Sequence, residues 1–273
     1  EEYTRLVKED GFTKEECDNH IRRLIQAQIF SADAERWFKH ELMQEYVRDE
    51  NVGDELRKSY HENAAIFFEE LYKNAIEKRE KVNFAIALGC AYHFHHAGLH
   101  EKSYSFNSSL AKFSFDTGSL DVAEECYIRA IEDAKELGND EGIAIQRGNL
   151  ARIYDIWGRL DDALETYQEL YDYFKEKEDR GNEAVALHLI GMIHYLKGDY
   201  EKALEKYNKS LEIEEELGDK SGIAKTLLQI GNIHYLKGDY EKALEKYNKS
   251  LEIKEEIGDR SGIAQTLHQI GNI

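Results

Sequence analysis

Along residues 240–251 the apolar positions Tyr240, Ala243, Leu244, Tyr247 and Leu251 recur at three- and four-residue intervals, with charged residues between them. That spacing draws one apolar stripe along an α-helix. Gly238, just ahead, is a natural left-handed stop for a preceding helix, and Asp239 is a natural N-cap for the next. The sequence therefore predicts two antiparallel helices per unit, "SGIAKTLLQIGNIHYLK" and "DYEKALEKYNKSLEIKEEI". The second carries exposed i,i+4 pairs such as Glu245–Lys249, each worth a few tenths of a kcal/mol, roughly. Neither stripe can be buried by one helix pair alone, so the units must stack.

The pattern repeats. Residues 191–230 and 231–270 differ at only six positions, and 151–190 and 111–150 are progressively diverged copies. Small residues recur where the two helices of a unit must cross closely: Ala151, Gly191, Gly231 and Gly271 in the first helix, Ala123, Ala163, Ala203 and Ala243 in the second. Tyr127, Tyr167, Tyr207 and Tyr247 recur beside them. A period of 40 residues built from helix pairs predicts a solenoid.

These residues resemble the tetratricopeptide repeat, whose pattern is met by Ile230, Gly231, Tyr240, Ala243, Tyr247 and Ser250. His194 and His234 stand where that family has tyrosine, and its terminal proline is absent. The period is similar to the longer-helix variety of kinesin light chain and of regulatory ATPases. The resemblance implies an all-α, right-handed superhelical solenoid of helix pairs.

Composition agrees. The 273 residues contain no proline, which suits a chain of helices whose turns are made by glycine. The formal net charge of −19 repels phosphate backbones, so a nucleic-acid partner is not expected. No run of 18 apolar residues occurs, so no membrane partner is expected either. Cys17, Cys90 and Cys126 are widely spaced and read as reduced thiols, which points to a cytoplasmic location. The chain begins without Met and stops after "IGNI", as a piece of a longer polypeptide would.

Residues 1–82 do not fit the repeat. Ile21, Leu24, Ile25 and Ile29 share a helical face with Thr13 and Glu16 as a capping box. A short hairpin and a further helix would give a winged-helix order over 1–52. A bridging helical segment is expected over 53–110, then repeats over 111–273 (111–150, 151–190, 191–230, 231–270, with another starting at 271). "FKHELMQEYVRDE", followed by His61, Ala64 and Ala65, is similar to the end of the winged helix in STAND-class signalling NTPases. That resemblance implies that His40 senses the β-phosphate of ADP, with ADP or ATP held by the parent protein. No G-x-x-x-x-G-K-[ST] phosphate loop occurs in the sequence, and no cofactor is expected in this chain.

Two constellations stand out. "HFHHAGLH" places His93, His95, His96 and His100 within eight residues. With Gly98 ending the helix and no third ligand at a fitting offset, it reads as a packed helix end rather than a metal site. The first helices of the repeats offer a concave face at offsets of three before, one after and four after the crossing residue. Those positions hold Gly148, Arg152 and Asp155; His188, Met192 and Tyr195; Leu228, Asn232 and Tyr235; and His268 and Asn272. Aromatic, amide and imidazole groups there suit a protein or peptide ligand. No catalytic pairing is legible. The expected function is the ligand-recognition arm of a cytosolic STAND-like ATPase, whose full-length form oligomerises on release from autoinhibition. The alternative is a free-standing scaffold without nucleotide.

Overall fold

The computed structural model describes residues 53–78 and 84–273. The segment expected to be a winged helix, with His40, lies outside them. The described residues are all-α, with no strand: α1 (Asp54–Glu77), α2 (Phe84–His96), α3 (His100–Asp116), α4 (Leu120–Glu136), α5 (Asp140–Ile156), α6 (Leu160–Glu176), α7 (Arg180–Leu196), α8 (Tyr200–Leu217), α9 (Lys220–Leu236), α10 (Tyr240–Glu256) and α11 (Arg260–Gly271). The chain forms two compact units, Glu1–Gln146 and Arg147–Ile273.

In the second unit α7 packs on α8 and α9 on α10, with α8 against α9 and α10 against α11. The crossing residues explain the close approach. A Cβ at Gly191 would lie 2.8 Å from the Tyr207 ring, and one at Gly231 would lie 2.6 Å from Tyr247. Ala203 and Ala243 are fully buried beside these rings, and Ala163 is fully buried at the matching place. Gly271 meets no neighbour within 4 Å.

Helices turn back every 20 residues at a left-handed residue, as at Gly198, Gly218, Gly238 and Gly258. At the equivalent position 178 a glutamate takes the same conformation, with φ 55°. Asp179, Asp219 and Asp259 cap the first helices, each accepting from a backbone N–H three residues on. Asp239 does sit at an N-cap, but its side chain makes no capping hydrogen bond. It faces His234 and Lys242 instead, each at 3.6 Å.

Ion pairs join residues 151–190 to 191–230 and 191–230 to 231–270 at a sequence separation of 36. Lys197 meets Asp161 and Lys237 meets Glu201; Arg180 meets Glu216 and Lys220 meets Glu256. Glu245–Lys249 forms at 2.8 Å along α10.

In the first unit α1 packs on α2, α2 on α3 and α3 on α4. Phe68, Cys90 and Phe94 form its apolar centre. Cys90 and Cys126 are free and buried, and burial pushes their thiols up to about 12 and about 11. Such thiols are inert at neutral pH.

Candidate functional site

At about 100° per residue, positions one after, five after and six before the crossing residue fall within about 40° of one another on a first helix. They hold the solvent face. In α7 these are Val185, Met192 and Leu196; in α9, Lys225, Asn232 and Leu236. Val185 is 54% exposed, Leu196 51% and Leu236 49%, and Ile156 at the matching place in α5 is 57% exposed. Over residues 201–212 of the second helix α8 the exposed residues are Glu201, Lys202, Glu205, Asn208, Lys209 and Glu212, all polar, while Leu217 at the end of that helix is 52% exposed. Exposed apolar side chains thus recur at matched places on the first helices, with Leu217 and Tyr240 exposed at the ends of the second helices.

Of the expected binding residues, Arg152, His268 and Asn272 are exposed, and Asp155, Met192, Tyr195, Asn232 and Tyr235 are half-buried. Burial raises the Asp155 carboxyl above its ordinary value. Tyr195 packs its ring on Tyr200 at 6.0 Å between centroids, and Tyr235 packs on Tyr240 at 5.7 Å. The Tyr247 hydroxyl donates to Asn232 Oδ1 at 2.8 Å, and Asn232 Nδ2 donates to Gln229 at 3.1 Å. Asn232 keeps one N–H and one lone pair beyond these two bonds.

The position three before the crossing residue corrects the expectation. Leu228 is only 3% exposed, packed with Ala243 and Tyr247 beneath Tyr235 and Ile270. His188 likewise turns inward: its Nδ1 bonds the Thr226 hydroxyl at 2.8 Å and its ring tilts against Tyr207. Burial, with Lys225 adding to it, pushes His188 down to about 4, so the ring is neutral at physiological pH. This offset lies on the flank of the helix that the next first helix approaches. Leu196, Leu236 and Val185 take its place in the face, and the same wheel applied to all offsets would have found them.

In the first unit the histidine-rich helix end is packed. Asp133 is fully buried on α4, where His95 Nδ1 from α2 and His100 Nδ1 from α3 both lie 2.9 Å from its Oδ1. Ser103 donates to its other oxygen. Burial opposes ionisation of Asp133, but the bonds from His95, Ser103 and His100 outweigh it and hold the carboxyl below its ordinary value. Among the described residues no three metal-ligating groups converge.

The sequence profile described as "Tetratricopeptide repeat" matches residues 103–176, 182–256 and 222–273. The chain belongs to the tetratricopeptide-repeat family. This repeat is a non-catalytic scaffold, and its 40-residue form here has kinesin-light-chain-like neighbours. BtubC (BKLC) from P. vanneervenii is 20% identical with a TM-score of 0.56, over 81% of this chain and 83% of that one. The putative kinesin light chain repeats of Podosopora anserina are 12% identical with a TM-score of 0.51, over 80% and 94%. NprR in complex with its cognate peptide NprX is 14% identical with a TM-score of 0.51, over 98% and 76%. At these identities the likeness concerns the fold. No curated protein sequence matches.

Proposed function

We propose that this chain is a protein-binding repeat arm that takes a peptide segment along its first helices. One observation carries the reading: Val185, Leu196 and Leu236 stay half exposed on one face of the first helices, whereas the exposed residues of α8 from Glu201 to Glu212 are all polar. Apolar side chains recurring in line on a surface otherwise rich in Lys and Glu mark an interaction surface. Tyr195 and Tyr235 add area with few rotors to freeze, and the spare donor and acceptor of Asn232 suit a peptide amide. NprR, crystallised in complex with its cognate peptide NprX, is in keeping with this use.

At the finer level the arm belongs to a cytosolic STAND-like switch. Ligand binding would release an ADP-bound state sensed by His40. The support is the "FKHELMQEY" motif. A phosphate loop in the sequence upstream of Glu1 is required by this reading, and an upstream sequence without one returns the chain to the scaffold class.

The test of the binding face is a displayed random-peptide library selected on the purified chain. Selected peptides are expected to lose about thirtyfold affinity on Tyr235→Ala, the cost of truncating a central aromatic anchor. Glu241→Ala, on the charged helix, should leave affinity unchanged. A greater loss on Glu241→Ala would move the site to the second helices.

A further inference from the structure

The first unit holds a ring cluster that the binding face does not use. His61 of α1 and His93 of α2 meet Nδ1 to Nδ1 at 2.8 Å, with His61 at 8% exposure and His93 at 0%. His96 packs on His61 at 4.9 Å between centroids and on Tyr92 at 4.3 Å. Phe68 stacks on His93 at 5.4 Å. A bond between two imidazole nitrogens needs one donor and one acceptor, so at least one ring of the pair must be neutral. If both rings are protonated, two N–H groups point at each other between buried side chains.

We propose that the His61–His93 pair, with His96 against it, is a proton-gated latch that holds α1 onto α2 while neutral and loosens α1 in acid. Among the described residues, charge around the pair comes from four helices. α1 supplies Asp54, Arg57 and Lys58, α2 supplies His95, and α3 supplies His100. From α4 come Glu132 and Glu136, the buried Asp133, and Arg129 over the Tyr92 ring at 5.5 Å. Asp133 is committed to His95, His100 and Ser103, so its negative charge is spent on the α2–α3–α4 junction rather than on the pair. Glu132 is drawn to His95 at 3.2 Å. Burial, then the positive charge of His95 and Arg129, pushes His96 down to about 4. A histidine held neutral by the fold favours the folded form above its ordinary value and opposes it progressively as pH falls below that value. The α2–α3–α4 junction is built on a carboxylate facing two imidazoles, an arrangement that sets no two donors against each other. Acid therefore separates α1 from a core that itself holds.

The experiment is amide hydrogen exchange on the whole chain, corrected for intrinsic exchange rates, between about pH 7.5 and about pH 5. Protection in α1 is expected to fall by about tenfold or more relative to α8 and α10, with α3 and α4 following the latter. His61→Asn should reduce the change to less than about threefold, because a side-chain amide can donate to a neutral ring or accept from a charged one. His93→Asn serves the same purpose should His61→Asn not fold. Protection of α1 that stays level with α8 and α10 in the unaltered chain overturns the latch. So does a fall that persists in the folded asparagine variant.

Discussion

At the scale of single residues, near-identical repeats act as internal controls. Among the described residues, eight other turns put glycine in the left-handed conformation that Glu178 adopts, as Gly218 does one repeat later. For an L-residue that conformation costs roughly 1–2 kcal/mol, part of which glycine returns through its freer unfolded chain. Glu178→Gly is expected to stabilise the fold by roughly 0.5–1 kcal/mol in a urea titration, a sign opposite to that of most surface changes. A second control compares two tyrosines. The Tyr247 hydroxyl bonds Asn232, whereas that of Tyr207, facing the Met192 repeat, is buried without a partner. Asn232→Met should thus cost about 1 kcal/mol by orphaning the Tyr247 hydroxyl, read as a lower melting temperature. An unchanged melt would mean the Tyr247 bond adds nothing to stability.

At the scale of helix against helix, the twins diverge at one buried polar site. Glu214 on α8 is 5% exposed and accepts from Ser210 at 3.0 Å and from Thr226 at 3.1 Å, while its second oxygen has no partner. Its counterpart is a buried lysine, Lys254, donating to Thr266 at 2.9 Å. Burial raises the Glu214 carboxyl above its ordinary value despite the bonds from Ser210 and Thr226. The native state therefore holds the proton longer than the unfolded one, so this group's contribution falls as pH rises through the interval between the two values. Glu214→Gln is expected to raise the melting temperature at pH 7.5 and to lose that advantage near pH 4, about the carboxylate's ordinary value. An advantage equal at both pH values would show that charge is not the cause.

Periodicity made the helix pairs, the crossing glycines and the tyrosines legible, because each recurs in register and copies reinforce one another. Leu228 was not, since whether an offset faces solvent depends on where the next first helix lies. The Asp133 junction was hidden for another reason. Its members come from three helices at separations of 38, 33 and 30 residues, and no repeat carries a second copy of it.

At the scale of the whole molecule, stability in a stacked array is close to a sum over neighbours, so repeats are nearly interchangeable parts. The ion pairs spaced by 36 residues show how far this goes. Excising residues 191–230 would set Gly231 in the place of Gly191, Lys237 opposite Asp161 and Glu256 opposite Arg180. The shortened chain is expected to fold with unchanged helicity per residue by circular dichroism and to melt at a lower temperature. Loss of helicity would mean that the twins are not equivalent. A gene carrying two such copies can misalign with itself during replication or recombination, gaining or losing one copy while every rung still closes. Arm length, and with it the span of ligand that can be read, is then free to vary between lineages in whole steps without the fold having to be reinvented.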